Sequence, residues 1–213
     1  MNNKIKSILM IVVLIPCLVF MSACDDTTQW GEITESELTT TSNFYYKLSI
    51  GGGTVEACQI AGYLYLKDTS SSVGILANGI YITSGNRVFA FDNATGWAES
   101  LLTGDSKTTT INSTKALYAS YFNKMKAKTN VLIDLKNYET GESLHIANTL
   151  TKEFAKTVGS TSNTYYITQY GFILKYQKKT GTTLDNSASF TASGFNSNPA
   201  SFGQFNIIEP NVD

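Results

Sequence analysis

Histidine and arginine are nearly missing from this chain. His145 and Arg87 each stand alone among 213 residues, with three cysteines and three prolines beside them. Each scarcity removes a class of chemistry. A hydrolase triad needs its histidine to face a nucleophile; Ser143 sits too close to His145 along one extended stretch, and no Gly-x-Ser-x-Gly elbow occurs. Zinc sites draw on several Cys and His ligands, and no EF-hand spacing is present, so neither a metal nor a cofactor is expected. With a single arginine, bidentate clamps on phosphate or carboxylate are scarce. No Lys/Arg-rich run appears and the formal charge is −1, which argues against a nucleic-acid partner. The triplet Gly51-Gly52-Gly53 is followed by neither Lys-Ser/Thr nor a helix signal, so it reads as a turn and not a phosphate cradle.

What is present begins with a leader. Lys4 and Lys6 start the chain with positive charge, an apolar run covers 8–20, and the small residues Ser22 and Ala23 precede Cys24. That order is the secretory pattern, and the run is shorter than the roughly 20 residues a membrane-spanning helix needs. Met21-Ser22-Ala23-Cys24 resembles the lipobox of bacterial lipoproteins, with Met21 where that family usually has Leu. The resemblance covers only the targeting segment. It implies cleavage before Cys24, acylation of the Cys24 thiol and amine, and a protein held on a bacterial membrane outside the cytoplasm. Asp25 and Asp26 resemble an inner-membrane retention signal in enterobacterial lipoproteins and a surface-export signal in the Bacteroides group, so the membrane and the face stay open. Losing Lys4 and Lys6 leaves 14 basic against 17 acidic residues, a net charge near −3. Cys17 leaves with the leader and Cys24 carries lipid, so Cys58 has no partner for a disulfide.

The expected organisation is a leader over 1–23, the lipidated Cys24 with a polar tether over 24–43, and one β-rich domain over 44–213. A flexible tether of that length spans about 24 Å. From Phe44 the period is two: Phe44, Tyr46, Leu48 and Ile50 alternate with polar or opposite-facing neighbours. Further β structure is expected over 54–67. Asn78-Gly79, between apolar runs at 73–77 and 80–83, predicts a tight hairpin, and 87–91 adds a third strand of a meander. Residues 92–110 read as loop. A helix is expected over 115–128 behind the polar cap Asn112-Ser113-Thr114, with Leu117, Tyr118, Tyr121, Phe122 and Met125 on one face. Residues 131–138 and 144–147 read as strands with a turn between them. Leu150, Phe154 and Val158, spaced by four and ending at Gly159, predict a second short helix. Residues 164–170 and 172–179 read as two strands split by Gly171 or as one long bulged strand. The uncharged stretch between Asp185 and Glu209 carries Phe190, Phe195, Phe202 and Phe205; it reads as disorder or, favoured because regularly placed Phe demands burial, as a strand, a loop and a final strand near 205–208. The fold class is therefore mainly β (β-rich α+β): an antiparallel sandwich or partly open barrel with one or two short helices.

Two kinds of site are legible. Glycosidase-type chemistry needs two carboxyls about 5–10 Å apart; the candidates are Asp92, Glu99, Asp105, Asp134, Glu139 and Glu142. The stronger lead is aromatic. Tyr166, Tyr170, Phe172 and Tyr176 share parity, with Tyr165 opposite, and are the candidate binding surface. The leading expectation is a lipid-anchored envelope protein, not an enzyme, that acts as a binding module for a surface ligand (protein or glycan) or an envelope-assembly partner. An inhibitor or immunity lipoprotein is the variant, and a carboxylate-dependent envelope hydrolase the rival of different class.

Overall fold

The computed structural model describes residues 43–127 and 132–202. Its architecture is mainly β, in one open antiparallel sheet of twelve strands. The first run is a meander: β1 (Phe44–Ile50), β2 (Gly53–Ile60), β3 (Tyr63–Asp68), β4 (Ile80–Ile82), β5 (Val88–Asp92) and β6 (Gly96–Glu99), with the short helix α1 (Gly74–Asn78) between β3 and β4. A long helix, α2 (Gly104–Met125), and a 3-10 turn at Leu132–Asn137 follow. The second run is β7 (Glu139–Ile146), β8 (Thr149–Val158), β9 (Thr161–Thr168), β10 (Ile173–Thr180), β11 (Thr183–Leu184) and β12 (Phe190–Asn196).

The strand order is β6-β5-β4-β3-β2-β1-β12-β10-β9-β8-β7, with β11 on β10. The first meander thus runs from the middle of the sheet to one edge, and the second from the other edge back to the middle, where β12 pairs with β1. That topology explains the long helix. The chain must cross from β6 to β7, which form opposite edges of the sheet, and the 22 residues of α2 extend about 33 Å. Ile111, Thr114, Tyr118, Phe122 and Met125 repeat every three or four positions and form the buried stripe of α2. Phe44 meets Phe122 edge-on at 4.6 Å, and the Tyr46 hydroxyl donates to the Tyr118 carbonyl at 3.0 Å. Tyr121 donates to the buried Asp68 carboxylate at 2.9 Å, tying α2 to β3.

Several expectations change. Asn78-Gly79 is no hairpin turn: Asn78 ends α1, and Gly79 follows it at φ 127, its N–H donating to Ile75. An Asn-Gly pair suits a helix terminus as well as a hairpin, and the local sequence does not choose. True two-residue turns with both residues at positive φ join β1 to β2 at Gly51-Gly52, β2 to β3 at Ala61-Gly62 and β7 to β8 at Ala147-Asn148. Residues 92–110 are not simply loop, since they hold β6 and the start of α2. The helix begins at Gly104, and its Ser/Thr-rich first turns direct their hydroxyls back onto the helix backbone. Thr108, Thr110 and Thr114 donate their hydroxyls to carbonyls four residues back, at 2.8–3.2 Å. The expected second helix is instead strand β8, paired on both sides by β7 and β9. A spacing of four is also twice two, so Leu150, Phe154 and Val158 share a strand face as readily as a helix face. The strand expected at 131–138 is largely the 3-10 turn, and the turn expected at Glu139-Thr140-Gly141 lies inside β7. Phe190 and Phe195 lie in β12, and Phe202 is buried against Tyr81. The leader, Cys24, Trp30, the tether up to residue 42, and the strand expected near 205–208 lie outside the described residues.

A second aromatic layer lies opposite α2. Tyr45, Cys58, Tyr65, Tyr81 and Phe89 follow one another in a cross-strand row over five strands. Burial, with the Glu56 carboxylate nearby, pushes the Cys58 thiol up to about 12. A thiol so placed has almost no thiolate at neutral pH. A maleimide is therefore expected to leave Cys58 unmodified in the folded protein and to label it once denaturant is added; mass spectrometry reads both states. Rapid labelling without denaturant would contradict the burial.

Candidate binding surface

The four aromatics proposed from parity do not share a face. The register pairs Tyr176 with Tyr165 and Lys175 with Tyr166, so the face of Tyr176 is that of Tyr165. Tyr166 lies on the other side, under the Lys175 ammonium at 4.6 Å from its ring. Phe172 is buried in the core, 5.0 Å from Phe44 and 6.2 Å from Phe122. Tyr170 is exposed in the β9–β10 turn. Same-parity reasoning holds within one continuous strand; here the chain reverses at 169–171, and a bulge between Ile173 and Lys175 shifts the register again.

What the sheet does assemble is a different row. Ile50, Phe190, Tyr176, Tyr165 and Phe154 are successive cross-strand partners on β1, β12, β10, β9 and β8. Tyr165 and Tyr176 stack with centroids 4.6 Å apart and 20° between planes. Tyr138 meets Tyr165 edge-on at 5.9 Å, and Phe190 flanks Tyr176 at 6.2 Å. The Tyr176 hydroxyl donates to Asn163 Oδ1 at 2.8 Å, which fixes the ring. Burial, then the neighbouring Tyr176 and Tyr138, hold the Tyr165 phenol above its ordinary value, so it stays protonated. Both tyrosines remain partly open to solvent.

Two cavities meet at this row. The larger, about 530 Å³, lies at the end of β1, the start of β12 and the middle of β10, between the Gly51–Gly53 turn and the loop 185–189. The smaller, about 290 Å³, is bordered by Lys124 from the last turn of α2, with Tyr165, Ile173 and Ala188. Tyr176 and Phe190 line both. The larger falls within the ~300–1,000 Å³ common for small-molecule sites. Its loop wall is braced from behind: Asp185 Oδ1 accepts from the Ser187 N–H, the Ser187 hydroxyl and the Ala188 N–H at 2.7–3.1 Å, and Lys178 pairs with Asp185 at 3.5 Å. The Gly51 N–H donates to the Asn186 carbonyl at 3.3 Å, linking the two walls.

These bonds imply a pH dependence. The Ser187 hydroxyl, the Ala188 N–H and Lys178 hold the Asp185 carboxyl below its ordinary value of 3.8. A carboxyl lowered by folding contributes its bracing above that ordinary value and loses it as pH falls through the folded one. The loop amides of 186–189 are expected to show unchanged hydrogen-exchange protection above pH 3.8 and to lose it only below. Asp185→Asn should weaken that protection at neutral pH.

Among the described side chains the candidate carboxylates do not converge. Asp92 accepts from the Ala94 and Thr95 N–H groups at 2.8 and 3.0 Å, capping its own turn, and those bonds hold its carboxyl low. Glu99 is clamped by Arg87 at 2.8 and 3.1 Å across β5 and β6. Asp105 lies in the first turn of α2, Asp134 in the 3-10 turn, and Glu139 and Glu142 on the outer strand β7. His145 is on β7 too, exposed. Asp92, Glu99, Asp105, Glu139, Glu142 and His145 line neither cavity. Among the described residues no three His, Cys, Asp or Glu side chains gather in a metal-binding group. No described helix is long and apolar enough to cross a membrane.

No family model and no curated protein matches the chain. Two solved structures of PNGF-II, in P21 and C2 space groups, are 13% and 14% identical to it, with TM-scores of 0.29 and 0.25. The matches cover 78% and 76% of this chain, which spans 30% and 28% of theirs. Scores of that size do not establish a shared fold, and the reading of the surface rests on its own residues.

The sequence named Tyr176 but not Tyr165 as its partner, nor Asn163, Phe190 or the glycine turn. Charge offered a signal: the 186–208 stretch carries none, and Phe190 stands within it.

Proposed function

We propose that the protein is a lipid-anchored component of a bacterial envelope that works by binding, with the Tyr165–Tyr176 platform as its contact surface. The observation that carries this is the stacked pair, partly open to solvent, with one cavity lined by both rings and another lined by Tyr176. Tyrosine offers wide amphipathic contact area at small entropic cost, because its ring turns about only two torsions. Here Asn163 and the stack fix the ring in advance, so little freedom is lost on contact. Binding is favoured over carboxylate hydrolysis because Asp92 and Glu99 are engaged locally and stand away from both cavities. The lipid supplies residence at a surface, and the tether supplies reach.

The test places a photo-reactive phenylalanine analogue at position 176 of the full chain, expressed in a bacterial envelope, and at Lys107 on α2 as the comparison. Light is expected to give covalent adducts at 176 and none at 107. Equal or absent adducts at both positions would remove the platform as a contact surface.

A further inference from the structure

The larger cavity is built without charge. Every described residue lining it is neutral: the Tyr176, Phe190, Ile50 and Leu184 side chains give apolar walls, and the rest are Ser, Thr, Asn, Gln or Gly. The ion pair Lys178–Asp185 braces the loop, and neither residue lines the cavity. The polar groups are hydroxyls, amides and the backbone of the glycine turn. Such groups both donate and accept hydrogen bonds, and none matches a full charge. A phosphate, a sulfate or a metal cation would find no counter-charge among the residues that line it. The ligand that fits is neutral, dense in hydroxyls, and flat and apolar on one side where it meets an aromatic ring. We infer that this cavity binds a neutral carbohydrate. A sugar ring lies on Tyr176, and its hydroxyls meet Asn186 and the backbone of the Gly51–Gly53 turn. The smaller cavity beyond Tyr176 lets a second sugar unit continue past Tyr165 toward Lys124. The ligand class is thus an oligosaccharide, longer than one residue and uncharged at the unit seated by Asn186.

This inference rests on the reading of the Tyr165–Tyr176 face as a binding surface, and its test separates the two. The full chain in detergent micelles is passed over immobilised neutral oligosaccharides (glucans, mannans and chitooligosaccharides), with sialylated and sulfated glycans as the charged set. Retention on at least one neutral glycan and no preference for the charged set is expected. Tyr176→Ala should weaken that binding about tenfold, the scale of a lost aromatic contact, while Tyr176→Phe keeps the ring and most of the affinity. Asn186 is exposed, so Asn186→Ala can weaken binding without disturbing the core, and it serves if Tyr176→Ala misfolds. A silent neutral set, a preference for the charged set, or undiminished binding by both alanine variants would overturn the carbohydrate assignment. If the neutral set is silent while adducts still form at position 176, the sugar class falls and the surface stands; if both are silent, both fall.

Discussion

Phe44→Ala is expected to be the most damaging single replacement in the described sheet. Phe44 is 1% exposed, and its ring meets Phe122 on α2 at 4.6 Å, Phe172 before β10 at 5.0 Å and Phe195 on β12 at 5.3 Å. It joins the first meander, the crossing helix and the second meander at one point. Truncating a buried Phe costs about 3–5 kcal/mol through lost transfer energy and the cavity left behind. In a domain of this size each kcal/mol lowers the melting temperature by about 2–4 °C, so a drop of roughly 6–20 °C is expected by circular dichroism. One cooperative transition should persist, because β1 and β12 bind both halves into one sheet. A loss under about 1 kcal/mol, or two separated transitions, would contradict that role.

The second large effect concerns the lipid. Each buried CH₂ contributes about 0.8 kcal/mol to membrane affinity, and a single acyl chain holds only marginally, whereas two or more hold stably. The chain with its own leader is expected to incorporate labelled palmitate and to stay in the membrane pellet through high-salt washing. With a cleavable secretory leader and Cys24→Ala, label should vanish and the protein should move to the supernatant. A variant that stays in the washed pellet would show that something other than lipid at Cys24 holds it.

How far the sequence reached depends on the range of the signal. The two-residue period at Phe44, Tyr46 and Leu48 reports burial directly, and β1 is where it was expected. The stripe Tyr118, Phe122 and Met125 likewise marked α2, because its buried face is set by local spacing. The start of α2 was hidden because Thr and Ser usually disfavour helix interiors, and only their back-bonding to earlier carbonyls shows why they are accommodated. Leu150, Phe154 and Val158 fit either periodicity, and pairing with β7 and β9 decided between them. The site was legible in kind but not in membership. Tyrosines near 165–176 were a visible cluster, yet which of them meet depends on a bulge and a reversal that parity cannot see. The two cavities come from strands distant in sequence, since Ile50 and Phe190 become neighbours only when β12 closes on β1.

The central claim is that Tyr165 and Tyr176 are covered by a ligand where the protein works. Hydroxyl-radical footprinting compares tyrosine oxidation in envelope membranes and in the purified full chain, with Tyr170, exposed in the β9–β10 turn, as the internal reference. The platform predicts that Tyr165 and Tyr176 are protected in membranes while Tyr170 oxidises equally in both. Identical rates for all three tyrosines in both preparations would contradict it.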